Sequence, residues 1–534
     1  AITTAGVKAM LADQVTALTT AQISQFTVGQ VGVLTASQVQ AMETADLAAM
    51  TNDQVAALTT AAVKAMSVEQ LSNITTAQLA SLTTAQVAVL TADQLAGLTT
   101  DQISKLTETQ VGALSSTQIK AIETDDLQNL TAAQLQAITT TAVKALTVDQ
   151  MAAFTSVQIS KLTEDQVGVL SAAQVQAITT TDVQQLTNGQ VQALTTTAVK
   201  GMLTEQVSSL TATQLANLTT AQVSVLTADQ IDSFTTEQIS KLTAEQIGAM
   251  TTAQIKSIAT DDLQQLTAAQ IQGITTDGVK ALLAEQITAF TTAQISKLTE
   301  AQVGVLSVAQ AQALATDDLS NLTNAQVQAL TTAAVRNLST DQLVSLTPTQ
   351  VANLTTTQVV SLTTADQVPA LTTAQVNKLT GDQVAAMTTA QIVAIQTDDI
   401  QALTNTALQS ITTDGVKVLT TDQVAALTTA QISKLTAEQV TVMTTAQIAA
   451  IETDDIAKLT NEQISSISTA GINALTTTAS GQIEQLTASQ LSSLTTAQVV
   501  ALTTDAIVAL STAQISKLTA EQVAVMTTGQ IAAI

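Results

Sequence analysis

"GVLTASQVQAMETADLAAMTNDQVAALTT", residues 32–60, repeats one phrase: an apolar residue, Thr or a stand-in, two small residues, Gln or Asp, then a branched apolar residue. The phrase returns every eight residues along all 534. Writing the octad as LTTAQVxx and numbering its slots from the leading apolar residue, a continuous helix is excluded. Each octad would advance its apolar stripe by about 80°, so no single face stays buried. A simple strand also fails, because slots one and six are five apart and face opposite sides. A sharply turned β-solenoid escapes that objection and is the alternative fold.

The octad reads directly as a helix start. Thr at slot two is an N-cap, Gln at slot five completes the capping box, and the apolar residues at slots one and six are placed as its hydrophobic staple. Slot six and the next slot one are three apart and share a helical face. Pro348 falls on slot three, the first helical residue, where a missing N–H costs nothing. Acidic residues favour slots four and five, near the positive end of the helix dipole, and Lys and Arg favour slots seven and eight, as at Lys8, Lys64, Lys105, Lys161 and Arg336. A helix this short cannot stand alone. The expectation is an all-α, tight solenoid of short N-capped helices, one per octad, wound around a continuous core.

Composition agrees with a thin core. Apolar residues make up 46% of the chain, yet its aromatics are four Phe, with no Trp or Tyr to fill a wide globule. Without Cys or His the chain lacks thiol nucleophiles, imidazole bases and the commonest transition-metal ligands. A net charge of −25 argues against nucleic acid and against an anionic membrane surface. Thr and Gln interrupt every octad, so no segment spans a bilayer. No enzyme is expected.

Three variant octads recur in fixed order. One lacks the slot-five Gln and carries a base: Lys8, Lys64, Lys144, Lys200, Lys280, Arg336 and Lys417, as in "TTAAVKAM" and "TTTAVKAL". The second is "QISKL", with Lys105, Lys161, Lys241, Lys297, Lys434 and Lys517. The third carries acidic pairs. Units of seven and ten octads therefore alternate, in a super-repeat of about 136 residues made of about 56 plus about 80. If inserting three octads restores register, a turn takes about 3.4 octads, or about 27 residues. Lys105 is then expected one turn from Asp125–Asp126, as an exposed ion pair. The chain is read as one continuous solenoid over 1–534, an excerpt of a longer array, with bulges expected at irregular octads near 362–370 (Pro369) and 475–485.

The acidic pairs are the one candidate site: Asp125 and Asp126, Asp261 and Asp262, Asp317 and Asp318, Asp398 and Asp399, Asp454 and Asp455. Carboxylates of adjacent turns would suit Ca²⁺ and cross-link neighbouring filaments. The competing reading, charge at helix starts with a Lys partner, explains the same residues without a metal and is preferred. No other cofactor is expected. Ice binding or O-glycosylation would use the Thr array, but capping already accounts for slot two.

The LTxxQ phrase, as in "LTASQ" at 34–38, resembles a motif of small periplasmic stress chaperones, where it marks helix starts; the match is to a local cap and implies no chaperone activity. The whole chain is similar to very large bacterial surface or secreted proteins built of tandem LTTAQ[VI] octads. Such proteins are often called adhesins or haem-utilisation proteins, but haem finds no His, Cys or Tyr ligand here. The resemblance implies an extracellular, cell-surface structural protein that self-associates into filaments. The alternatives are the stalk of a large adhesin, with cell-surface or glycan partners bound by regions outside this sequence, and a protein-binding solenoid scaffold.

Overall fold

The computed structural model describes residues 2–477 and 480–534. Among them are 65 α-helices of four to six residues and one 3-10 turn, with no strand. The fold is all-α, and a β-solenoid is ruled out.

The local logic is the capping box. At Thr83 the backbone is extended (φ −69°, ψ 156°), the hydroxyl accepts the Gln86 N–H at 3.2 Å, and Gln86 Oε1 accepts the Thr83 N–H at 2.7 Å. The same reciprocal pair closes at Thr355 and Gln358, at 3.2 and 2.8 Å. Two of the helix's orphan N–H groups are thereby satisfied. Each helix stops as soon as it has started: the Leu90 N–H bonds the Val87 carbonyl at 3.1 Å, and the next Thr is extended again. Slot six sits at the centre, with Val87 0% exposed, and slot one closes the wall beside it, with Leu90 4% exposed. Met42 and Met50 fill slot one as ordinary core residues.

The chain divides into two compact units, Ala1–Ile274 and Thr275–Ile534. Each is a solenoid in which a helix packs on the third helix after it. In the first unit Ser116–Ala121 lies on Thr140–Ala145; in the second Gly381–Ala386 lies on Asn405–Gln409. Side-chain bonds between turns of regular octads join positions 25 to 31 apart, with a recurrent bond at 28. A turn at that recurrent spacing is about 3.5 octads, close to the expected 3.4. A seven-octad unit is then two turns, whereas the three-octad insertion falls half an octad short of one.

Pro348 does begin its helix, after an extended Thr347 (ψ 153°) that suits the residue before proline. The same substitution at Thr84 is expected to be near neutral, whereas Val87→Pro removes the Val87 N–H to Thr83 bond and should cost ~3 kcal/mol or more. Amide hydrogen exchange across residues 83–90 checks both.

Candidate functional site

The slot-five side chain does more than complete a cap. Gln166 Oε1 accepts its own cap N–H from Thr163 at 2.9 Å, while its Nε2 donates to the carbonyls of Leu135 and Ile138, both at 2.8 Å, one turn earlier. Gln254 does the same to Val223 and Leu226 at 2.7 and 2.8 Å, and in the second unit Gln447 to Val416 and Leu419, both at 2.7 Å. The acceptors are carbonyls at the end of a helix: that of Ile138 has no intrahelical partner, and that of Leu135 also takes the Ile138 N–H at 3.2 Å. One buried amide thus starts its own helix, finishes another and ties two turns together. Capping alone would be served equally by Glu. Glu never occupies slot five in this sequence, and a carboxylate has no N–H to donate.

The candidate acidic pairs are split by the fold. Asp126, Asp262, Asp318, Asp399 and Asp455 take the slot-five position and are buried, whereas Asp125, Asp261, Asp317, Asp398 and Asp454 face solvent. Asp318 Oδ2 accepts the Ala315 N–H at 2.9 Å, standing in for the Gln oxygen. Asp399 Oδ1 accepts the Thr373 hydroxyl from the preceding turn at 2.8 Å, so the polarity of the inter-turn bond is reversed. Asp46, outside the doubled motif, does the same with Thr20 at 2.8 Å. Among the described residues no group of three Asp or Glu side chains is gathered where a metal ion would sit.

The expected Lys105–Asp125/Asp126 pair does not form. Lys105 is exposed at a helix end while the Asp126 side chain points inward. Ion pairs do form within a helix, as at Lys280–Asp277 at 3.1 Å and Lys417–Asp414 at 3.0 Å, all four side chains well exposed; such pairs contribute little. Glu245, at slot four, has its carboxyl held below the ordinary range by its own backbone N–H and by the Thr243 hydroxyl. That direction favours the folded helix start above the normal carboxylate pKa and fades as pH falls.

Both irregular octads keep the box. At Pro369 the extra residue is absorbed before the Gln: Thr363 and Gln367 exchange bonds of 3.0 and 3.1 Å across four residues instead of three. In the eleven-residue octad Thr476 and Gln482 exchange two bonds of 3.0 Å across six residues. Ser480 there adopts φ 64°, the one positive φ at a non-glycine residue among those described. Residues 478 and 479 of this octad lie outside the described residues.

A family model, the ALTTAQ repeat, matches the chain at residues 39–76, 71–108, 119–156, 255–292, 312–348, 392–429, 448–482 and 504–534. These windows cover more than half of the chain, which therefore belongs to the ALTTAQ repeat family. No curated protein matches it. Among solved structures, similar chains include one from the structure of APUM23–GGAAUUGACGG, at 10% identity over 80% of this chain and 89% of that one, with a TM-score of 0.15. Another comes from a homology model of the full-length AP-3 complex in an intermediate open conformation, at 11% identity over 91% and 84%, also with a TM-score of 0.15. Superposition at that level bears on neither fold nor function.

Proposed function

We propose that this ALTTAQ-repeat chain is a structural, extracellular fibrous protein that builds a bacterial surface filament by self-association. One observation carries the reading: the same turn-to-turn bond recurs through both units, as at Gln166 and Gln447, so length is obtained by repeating one interface. Stability in such an array is close to a sum of neighbour terms and scales with the number of turns. The surface fits this role, since slots two to four carry Thr, Ala and acidic residues and the chain bears a net charge of −25. That charge keeps arrays apart until a specific contact or a cation brings them together.

Electron microscopy of the purified native protein is the test. Filaments of uniform width, many times longer than one chain, are expected at moderate ionic strength. Isolated particles of single-chain mass under all such conditions would overturn the proposal.

A further inference from the structure

The amide bridge is missing at places that are themselves periodic. A carboxylate cannot donate, and Ala or Gly has nothing to donate with. In the first unit Asp126 and Ala142 take slot five two octads apart, on either side of Gln134. Within a single turn, two of three consecutive bridges to the turn below are therefore absent, leaving Gln134 bonded to Ser104 and Leu106 at 3.1 and 2.6 Å. The arrangement recurs at Asp46–Ala62 and Asp182–Ala198. In the second unit it recurs at Asp318–Ala334 and Asp455–Gly471, and at Asp399–Gly415 the middle residue is Ala407, so all three amide bridges are lost and Asp399 keeps its bond from the Thr373 hydroxyl.

The turn beneath is altered to match. Four octads before Ala62, Ala142 and Ala198 stand octads with Gly at slot seven, namely Gly32, Gly112 and Gly168. A Cβ at these glycines would come within 3.4, 3.2 and 3.2 Å of the Ala57, Ala137 and Ala193 carbonyl oxygens of the turn above. Close backbone approach thus replaces directional bonds on that side. Such contact forfeits on the order of a quarter to a half of its attraction once a gap of about 0.5–1 Å opens. A depression bordered by Lys105, Glu108, Thr131 and Gln134 opens between the two turns at this level.

We propose that these turns are built-in seams, at which the solenoid parts first and which divide it into blocks of seven or ten octads that open as units. Within a block three amide bridges per turn couple neighbours, so opening spreads through the block; at a seam the coupling drops and opening stops. In a one-dimensional array of nearest-neighbour terms the weakest interfaces set the cooperative unit. The seam is a property of the fold and stands independently of the filament reading.

The test is single-molecule extension of the full chain, tethered through a cysteine added at each end; the chain has no other. Blocks of seven and ten octads release about 190 and about 270 Å at ~3.4 Å per residue. Those two step lengths are expected. Steps of a single turn, or one continuous release, would overturn the proposal. A second variant tests cause: Gln86→Ala with Gln102→Ala copies a seam inside the ten-octad block between Ala62 and Ala142. The longer step from that block is expected to split into two of roughly half its length. Steps unchanged from the unaltered chain would overturn the assignment of the seam to the missing amides.

Discussion

Gln222→Glu is expected to loosen its turn far more than Gln222→Ala, although Glu serves a capping box as well as Gln does. Gln222 is 2% exposed; its Oε1 accepts from Thr219 N–H at 2.8 Å and its Nε2 donates to Val191 and Leu194 at 3.0 and 2.7 Å. Truncation to Ala leaves the Leu194 carbonyl and one cap N–H unpaired, while the Val191 carbonyl keeps the Leu194 N–H, a cost of about 1–3 kcal/mol. The Glu variant keeps the cap bond but sets an anion against two carbonyl oxygens in a buried site, and should cost about 3–5 kcal/mol. With each 1.4 kcal/mol equal to about tenfold, amide exchange at Val223 and Leu194 should accelerate by two to three orders of magnitude in the Glu variant at neutral pH.

The pH dependence separates the two. Burial and facing carbonyls raise the pKa of the introduced carboxyl, because both disfavour its charged form. The penalty is therefore present above that raised value and recedes as pH falls through it, since a protonated carboxyl regains a donor. The Ala variant has no such dependence. Equal exchange rates for the two variants at neutral pH would show that a buried carboxylate facing the two carbonyls costs no more than truncation. Hydrogen exchange is the suitable measure because a long repeat array has no single unfolding transition.

What was legible in the sequence follows the range of each interaction. The cap at Thr83, the box with Gln86, the buried pair Val87 and Leu90, and Pro348 at a first helical position are all decided within one octad, which displays them directly. The second role of Gln links positions 28 and 31 apart, a distance that no local motif encodes. Its trace was present all the same, in the exclusion of Glu from slot five. The acidic pairs misled in part because adjacent residues on a short helix point in different directions. Asp125 is the surface charge expected of a helix start, while Asp126 replaces a buried amide. Of the two carboxylates expected to meet Lys105, the inward turn of Asp126 leaves Asp125 alone at the surface.

The irregular octads define where the array accepts change. Between Thr and Gln the chain can lengthen by one residue, as at 363–367, or by three, as at 476–482, because a loop there leaves the box and both inter-turn donations intact. Gln367 still reaches Val335 and Leu338 at 3.0 and 2.9 Å, and Gln482 reaches Ile448 and Ile451 at 3.0 and 2.8 Å. The altered count persists for about a turn, through Gln391, and is back to 31 and 28 by Gln423. A glycine inserted between Glu164 and Asp165 should thus leave Gln166 bonded to Leu135 and Ile138, with a cost of about 0.6 kcal/mol or less for the longer loop. The same glycine between Gln166 and Val167 breaks the link between bridge and core. Val167, now 1% exposed, is rotated by about 100° from its place, and losing such a side chain from the interior costs about 2–5 kcal/mol. Exchange protection at Val167 and Leu170 should survive the first insertion and fall by roughly one and a half to three and a half orders of magnitude with the second, taking 1.4 kcal/mol as about tenfold. Comparable protection in both would mean that the position of Gln relative to slot six is not what holds one turn on the next.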